Sequence, residues 1–188
     1  MSNVEVKFTN AYDLLKHAES NGISISAPIN LEEILNLLVI SIEYEPELEE
    51  KDVIGEIAFN DQKPVIRINP FQNSYKVRER FTIAHEIGHY CLHSSSDRDG
   101  FTDSRKTMSR SGSYWDKFES EANNFAAKLL MPKDLLVKEG KKIIEQYKVD
   151  ESKTSMPAKL FVEQVSSMFL VSSKAMEYRL KNLGVIKS

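Results

Sequence analysis

Apolar positions along this chain recur first at a helical period, then at a two-residue period, then at a helical period again to the end. From Asn10 to Ser20, Tyr12, Leu14, Leu15 and Ala18 share one stripe, and Asn21-Gly22 supplies a stop. Asn30 and Glu33 have the spacing of a capping box, so Leu31, Ile34, Leu35, Leu37 and Leu38 predict a short buried helix that gives way at Val39. Val39 to Tyr44, Val53 to Phe59 and Val65 to Ile68 are β-branched or alternating runs, divided by acidic or Asp-Gln-Lys-Pro turns. They predict three strands of a small sheet, with Pro64 and Pro70 bracketing the third. After Asn73-Ser74 the helical period returns and holds to about His93.

Ser94 to Ser113 is rich in Ser, Asp and Arg with almost no apolar anchors, which predicts a long mobile loop. Tyr114 to Leu130 then places Trp115, Phe118, Ala122, Phe125, Ala126 and Leu129 on one stripe, closed by Pro132. Further helices are predicted near Lys133 to Tyr147, Pro157 to Phe169 and Ser172 to Asn182, with Gly184 as the last stop. The expectation is an α+β, mainly helical fold with a small three-stranded sheet. Its core covers residues 1–132, including the loop at 94–113, and a helical extension over 133–188 packs on that core.

Bulk composition narrows the function classes. A chain of 188 residues, 41% hydrophobic and 28% charged, is long enough for one sizeable core. Its net charge of -3 and pI near 5.9 create no global field toward nucleic acid or an anionic membrane. No run reaches the roughly 18 apolar residues of a membrane span. The single cysteine, Cys91, has no internal partner, and Met1-Ser-Asn-Val-Glu-Val-Lys lacks the apolar core of a secretion signal. Together these predict a cytoplasmic protein.

Chemistry concentrates in His85-Glu86-Ile-Gly-His89, deep inside a predicted helix. One turn separates the histidines, so both imidazoles leave one face and can share a metal ion, while Glu86 can act as general base toward a water. At 100° steps Ile83, Ile87, Cys91, Ala84 and Gly88 fill the opposite arc, giving a helix buried on one side and chemical on the other. A catalytic zinc takes three protein ligands and keeps one open position, so a third donor is required. His93 lies about 12 Å of helix rise beyond His85, too far to share the ion, and is expected behind a ligand or lining the pocket. The wheel places Glu119 beside the Phe118–Ala122–Ala126 stripe and turns Glu121 outward with Asn124 and Lys128. Asn123 follows Glu119 by one turn, where its amide oxygen can accept the free N–H of a ligating histidine. Tyr90, His93, Tyr114 and Trp115 are candidate donors to a tetrahedral oxyanion. Cys91 points to the apolar arc and reads as a buried structural thiol, and His17 has no evident role.

The segments Arg80 to His93 and Glu119 to Pro132, in this order, resemble the ImmA/IrrE family of zinc metallopeptidases. The Glu119-x-x-Ala122-Asn123 run is also similar to the Glu-x-x-x-Asp element of other glutamate-ligand zinc peptidases, which favours Glu119 over Glu121. The resemblance implies a zincin-like fold, Zn2+ held by His85, His89 and Glu119, and peptide hydrolysis with Glu86 as base. Asn123 stands where the wider superfamily has aspartate, which removes a charge behind the histidine. The resemblance further implies a narrow-specificity protease whose substrate is a helix-turn-helix repressor of a phage, mobile element or stress regulon, under an activating or inhibitory partner. An extended substrate can add as a strand to a sheet edge, for which Val53 to Phe59 or Val65 to Ile68 is the expected site.

Two other functions start from different residues. Val162 to Gly184 has the outline of a helix-turn-helix reader, but from Glu151 onward six Lys or Arg face three Glu, a mild balance for binding DNA. A metal-binding regulator without hydrolysis is the other, and the presence of Glu86 argues against it, because a scaffold needs no base.

Overall fold

A computed structural model of the chain describes residues 8–93, 101–104, 115–151 and 155–186. Two short helices lead, α1 (Ala11–Ser20) and α2 (Leu31–Leu38). The Asn10 side chain accepts from Asp13 N–H, and that of Asn30 from Glu32 and Glu33 N–H, so each helix starts on an asparagine that satisfies otherwise orphaned donors. Strands β1 (Ser41–Tyr44), β2 (Val53–Asn60) and β3 (Lys63–Ile68) follow, then α3 (Lys76–His93), β4 (Phe101–Ser104), α4 (Trp115–Leu130), α5 (Lys133–Glu151), α6 (Ala158–Phe169) and α7 (Ser173–Asn182). The α+β, mainly helical expectation holds.

The sheet corrects the expectation in one respect. The three foreseen strands form, and a fourth, β4, joins them in the order β1-β3-β2-β4, parallel between β1 and β3 and antiparallel elsewhere. Part of the expected loop at 94–113 is thus a strand, and the remainder of that segment lies outside the described residues. Phe-Thr-Asp-Ser carries no apolar alternation, so β4 is recruited by the unpaired edge of β2 and not by its own pattern. The consequence for substrate pairing is direct. β2 and β3 are interior, and the sheet edges are β1 and β4.

Pro64 lies inside β3 opposite Phe59, one residue before pairing with β1 begins at Val65, where its missing N–H interrupts no ladder to β1. The β2–β3 turn places Asp61 and Gln62 both at positive φ, the conformation that matches hairpin twist.

Alternation assigns the faces of the sheet. Gly55, Ile57, Ile66 and Ile68 are paired across β2 and β3 and buried toward α3. On the opposite face Arg67 reaches Glu56, Glu45 and Glu43 at 3.1, 3.3 and 3.7 Å. Helix α3 is packed between the sheet and α4, with α1 beyond α4. Residues Thr82 to His89 are all buried, so in this stretch of α3 the chemical side is covered as well as the apolar one. One hydrophobic cluster runs from Phe8 and Leu14 through Ile57, Ile87 and Phe125 to Phe161, Phe169 and Leu180, which packs α6 and α7 into the same core as the sheet. Arg179 reinforces this, its Nε donating to Met131 O at 3.1 Å. No described helix is long and apolar enough to cross a membrane.

Candidate metal centre

Two close approaches bring the chemistry of α3 against its neighbours. A Cβ at Gly88 would lie 3.1 Å from the Ala122 Cα and carbonyl, so α3 and α4 cross nearly backbone to backbone at that point. A Cβ at Gly55 would meet Thr82 Cγ2 at 2.6 Å and Glu86 Oε1 at 3.5 Å, so β2 runs directly over the glutamate. An amide network fixes the second approach. Asn69 Nδ2 donates to Val53 O at 2.7 Å and Asn73 Nδ2 to Ile54 O at 2.9 Å, while Thr82 Oγ1 donates to Asn73 Oδ1 at 2.7 Å. Buried amides and a hydroxyl thereby tie the start of β2 to the middle of α3, each polar group satisfied as burial requires.

With the helices so placed, His85, His89 and Glu119 converge, all buried, with ligand atoms within 4.8 Å of one another. The two Nε2 atoms are 2.9 Å apart, and Glu119 Oε2 and Oε1 lie 3.2 Å from His85 Nε2 and His89 Nε2. Glu86 is fully buried on the same helix beside His85.

The outer nitrogens determine what the inner ones offer. His85 Nδ1 lies 3.1 Å from Asn123 Oδ1, an oxygen that only accepts, so Nδ1 carries the proton and Nε2 presents a lone pair inward. His93 Nε2 lies 3.0 Å from Glu121 Oε2, again an acceptor, so the remaining His93 Nδ1 accepts from His89 Nδ1–H across 3.1 Å. His89 Nε2 is then also a lone-pair donor facing inward. Two imine nitrogens and a carboxylate pointing at a common centre repel unless a cation stands between them. The donor set is that of a divalent metal ion with three protein ligands.

The electrostatics agree. In the metal-free protein burial would raise the Glu119 carboxyl, but once the imidazoles are protonated their hydrogen bonds outweigh it and hold the group down at about 2. Burial lowers the His89 pKa, partly offset by Glu119, so this ring favours the neutral form that ligation needs.

Other candidate residues fall elsewhere. Tyr90 packs its ring beside Phe59, centroids 6.3 Å apart. Tyr114 lies outside the described residues, as does the side chain of Trp115. His93 is buried with Phe118 edge-on to it at 4.5 Å. Cys91 is half-buried, and burial pushes its thiol up to about 12, which disfavours the thiolate form. Glu121 is outward as the wheel has it, its side chain 42% exposed, and its length also lets one oxygen reach from the α4 surface to His93 at the end of α3. Gly88, Asn69 and Asn73 were not singled out as site residues. A glycine within the metal motif was the available signal for a close helix crossing.

The family model of the IrrE N-terminal-like domain, peptidase family M78, matches residues 42–181, well over half the chain, and spans every residue of this centre. Among the curated proteins no match to the chain was found. A buried pair of histidines and a glutamate that can hold a metal, inside a match of this extent, makes the chain a member of the ImmA/IrrE family of metallopeptidases.

Proposed function

We propose that this chain is a zinc-dependent endopeptidase of narrow specificity, acting in the cytoplasm on a helix-turn-helix transcriptional repressor under the control of an activating or inhibitory partner. The observation that carries the catalytic part is the convergence of His85, His89 and Glu119 beside the fully buried Glu86. His85, His89 and Glu119 would hold the zinc ion. When bound, zinc supplies Lewis acidity toward water and a peptide carbonyl. Glu86 takes the proton of the attacking water and delivers it to the leaving amine. Asn123 and the His93–Glu121 pair hold the two ligating rings in the tautomer that turns Nε2 inward.

An extended substrate would pair with β4, the sheet edge on the β2 side, and this supports recognition of a protein segment over a small molecule. DNA binding by the C-terminal helices draws less support. Of the cations in the last turn of α7, Arg179 is bonded to Met131 O and Lys181 is paired with Glu177 at 2.7 Å. Co-expression with candidate repressors tests the whole reading. Wild type is expected to generate a repressor fragment that Glu86→Gln, still loaded with zinc, does not. The same fragment from both would remove Glu86 from its role.

A further inference from the structure

A cavity of about 570 Å³ opens between the first half of α3 and the α6–α7 turn and has His85 in its wall. Its apolar lining comes from Val77 and Phe81 of α3, Ile54 of β2, and Val171 and Ala175 at the α6–α7 turn. No acidic side chain lines it, whereas Arg78 and Lys174 both do. Arg78 is half-buried and Lys174 exposed, with the Lys174 Nζ 6.0 Å from the centre of the Tyr178 ring, so both cations lie on the solvent side of the cavity. Among the described residues neither forms an ion pair. A cationic mouth with no internal counter-charge, on a chain of net charge -3, is local to this cavity. The volume lies in the range of sites that enclose a ligand of more than one residue.

Building on the metallopeptidase reading, we propose that this cavity is a substrate subsite. It takes an apolar residue next to the bond to be cut, followed by an acidic residue that meets Arg78 and Lys174. His85 is the one residue of the metal centre in this wall, so an occupied subsite would hold the neighbouring peptide bond on the His85 side of the ligands. The α6–α7 turn, which the fold packs against α3, thereby acts in substrate selection. Cleavage sites are then expected at apolar–acidic pairs, and the C-terminal helices set specificity from within the catalytic body.

The test uses the zinc-loaded full chain and peptide hydroxamates, whose metal-binding group fixes the register. Three probes differ only in side chains: Gly–Gly, Leu–Glu and Leu–Lys. Leu–Glu should bind at least about tenfold more tightly than Gly–Gly, from burial of the leucine side chain. It should exceed Leu–Lys by about fivefold, the scale of a partly exposed ion pair. The double variant Arg78→Glu, Lys174→Glu should reverse the order of Leu–Glu and Leu–Lys. Equal binding of all three probes, or an unchanged order in the double variant, overturns the subsite while leaving the metal reading in place. Failure of every probe to bind the wild type overturns both.

Discussion

At the metal-ligand residues, proton placement carries the argument. Asn123 and Glu121 can only accept from the ring nitrogens they face, and that fact propagates through His85, and through His93 to His89, to leave two lone pairs and one carboxylate facing each other. The acid stability of the metal-free protein follows from the same groups. Glu119 is held at about 2 in the fold against an ordinary 4.5, so its contribution is present above about 4.5 and is lost as pH falls from there toward 2. His89 is depressed below 6.5, so the unfolded chain takes up a proton first and stability declines as pH falls through that value. Both act in the same direction. In chelator, the melting temperature of wild type should drop from about pH 6.5 downward, and Glu119→Gln should flatten the limb below about pH 4.5. Parallel curves for the two proteins would contradict the assignment.

Among the elements, α3 and α4 matter most, because Gly88 lets their backbones approach closely enough for Glu119 to reach both histidines. Gly88→Val would place its methyl groups into the Ala122 backbone, which cannot yield as a flexible side chain does. The expected cost is about 1–3 kcal/mol in denaturant unfolding, with weakened metal binding. Unchanged stability would mean that the crossing is looser than the structure has it. Long periodic elements were the most legible in sequence. The stripe of Phe118, Ala122, Phe125, Ala126 and Leu129 identified α4, and the alternation in β2 and β3 gave their facing. β4 was not legible, because a polar strand recruited by another strand's open edge leaves no pattern of its own. The Asn69–Asn73–Thr82 network was equally silent, since its meaning lies in backbone carbonyls of β2 that no side-chain periodicity reports.

Considered whole, the molecule encloses its chemistry in one continuous core that reaches from α1 to α7. The spacing of His85 and His89 made a shared face legible, and the wheel of α4 marked Glu119 as the carboxylate on the buried margin. Glu121 stands outward as the wheel placed it, but its contact with His93 was not legible, because a helical wheel fixes where a side chain starts and not how far it reaches. The central claim is that His85, His89 and Glu119 bind zinc while Glu86 serves the chemistry without binding it. Zinc stoichiometry and affinity, measured by titration against a chelator of known affinity across a set of variants, test it most directly. Wild type and Glu86→Gln should each hold one zinc per chain, and His85→Ala and Glu119→Ala should hold none. His93→Phe should bind about 10–100-fold more weakly, as loss of a group behind a ligand does. Wild type without zinc, or His85→Ala and Glu119→Ala that bind as wild type does, would contradict the account.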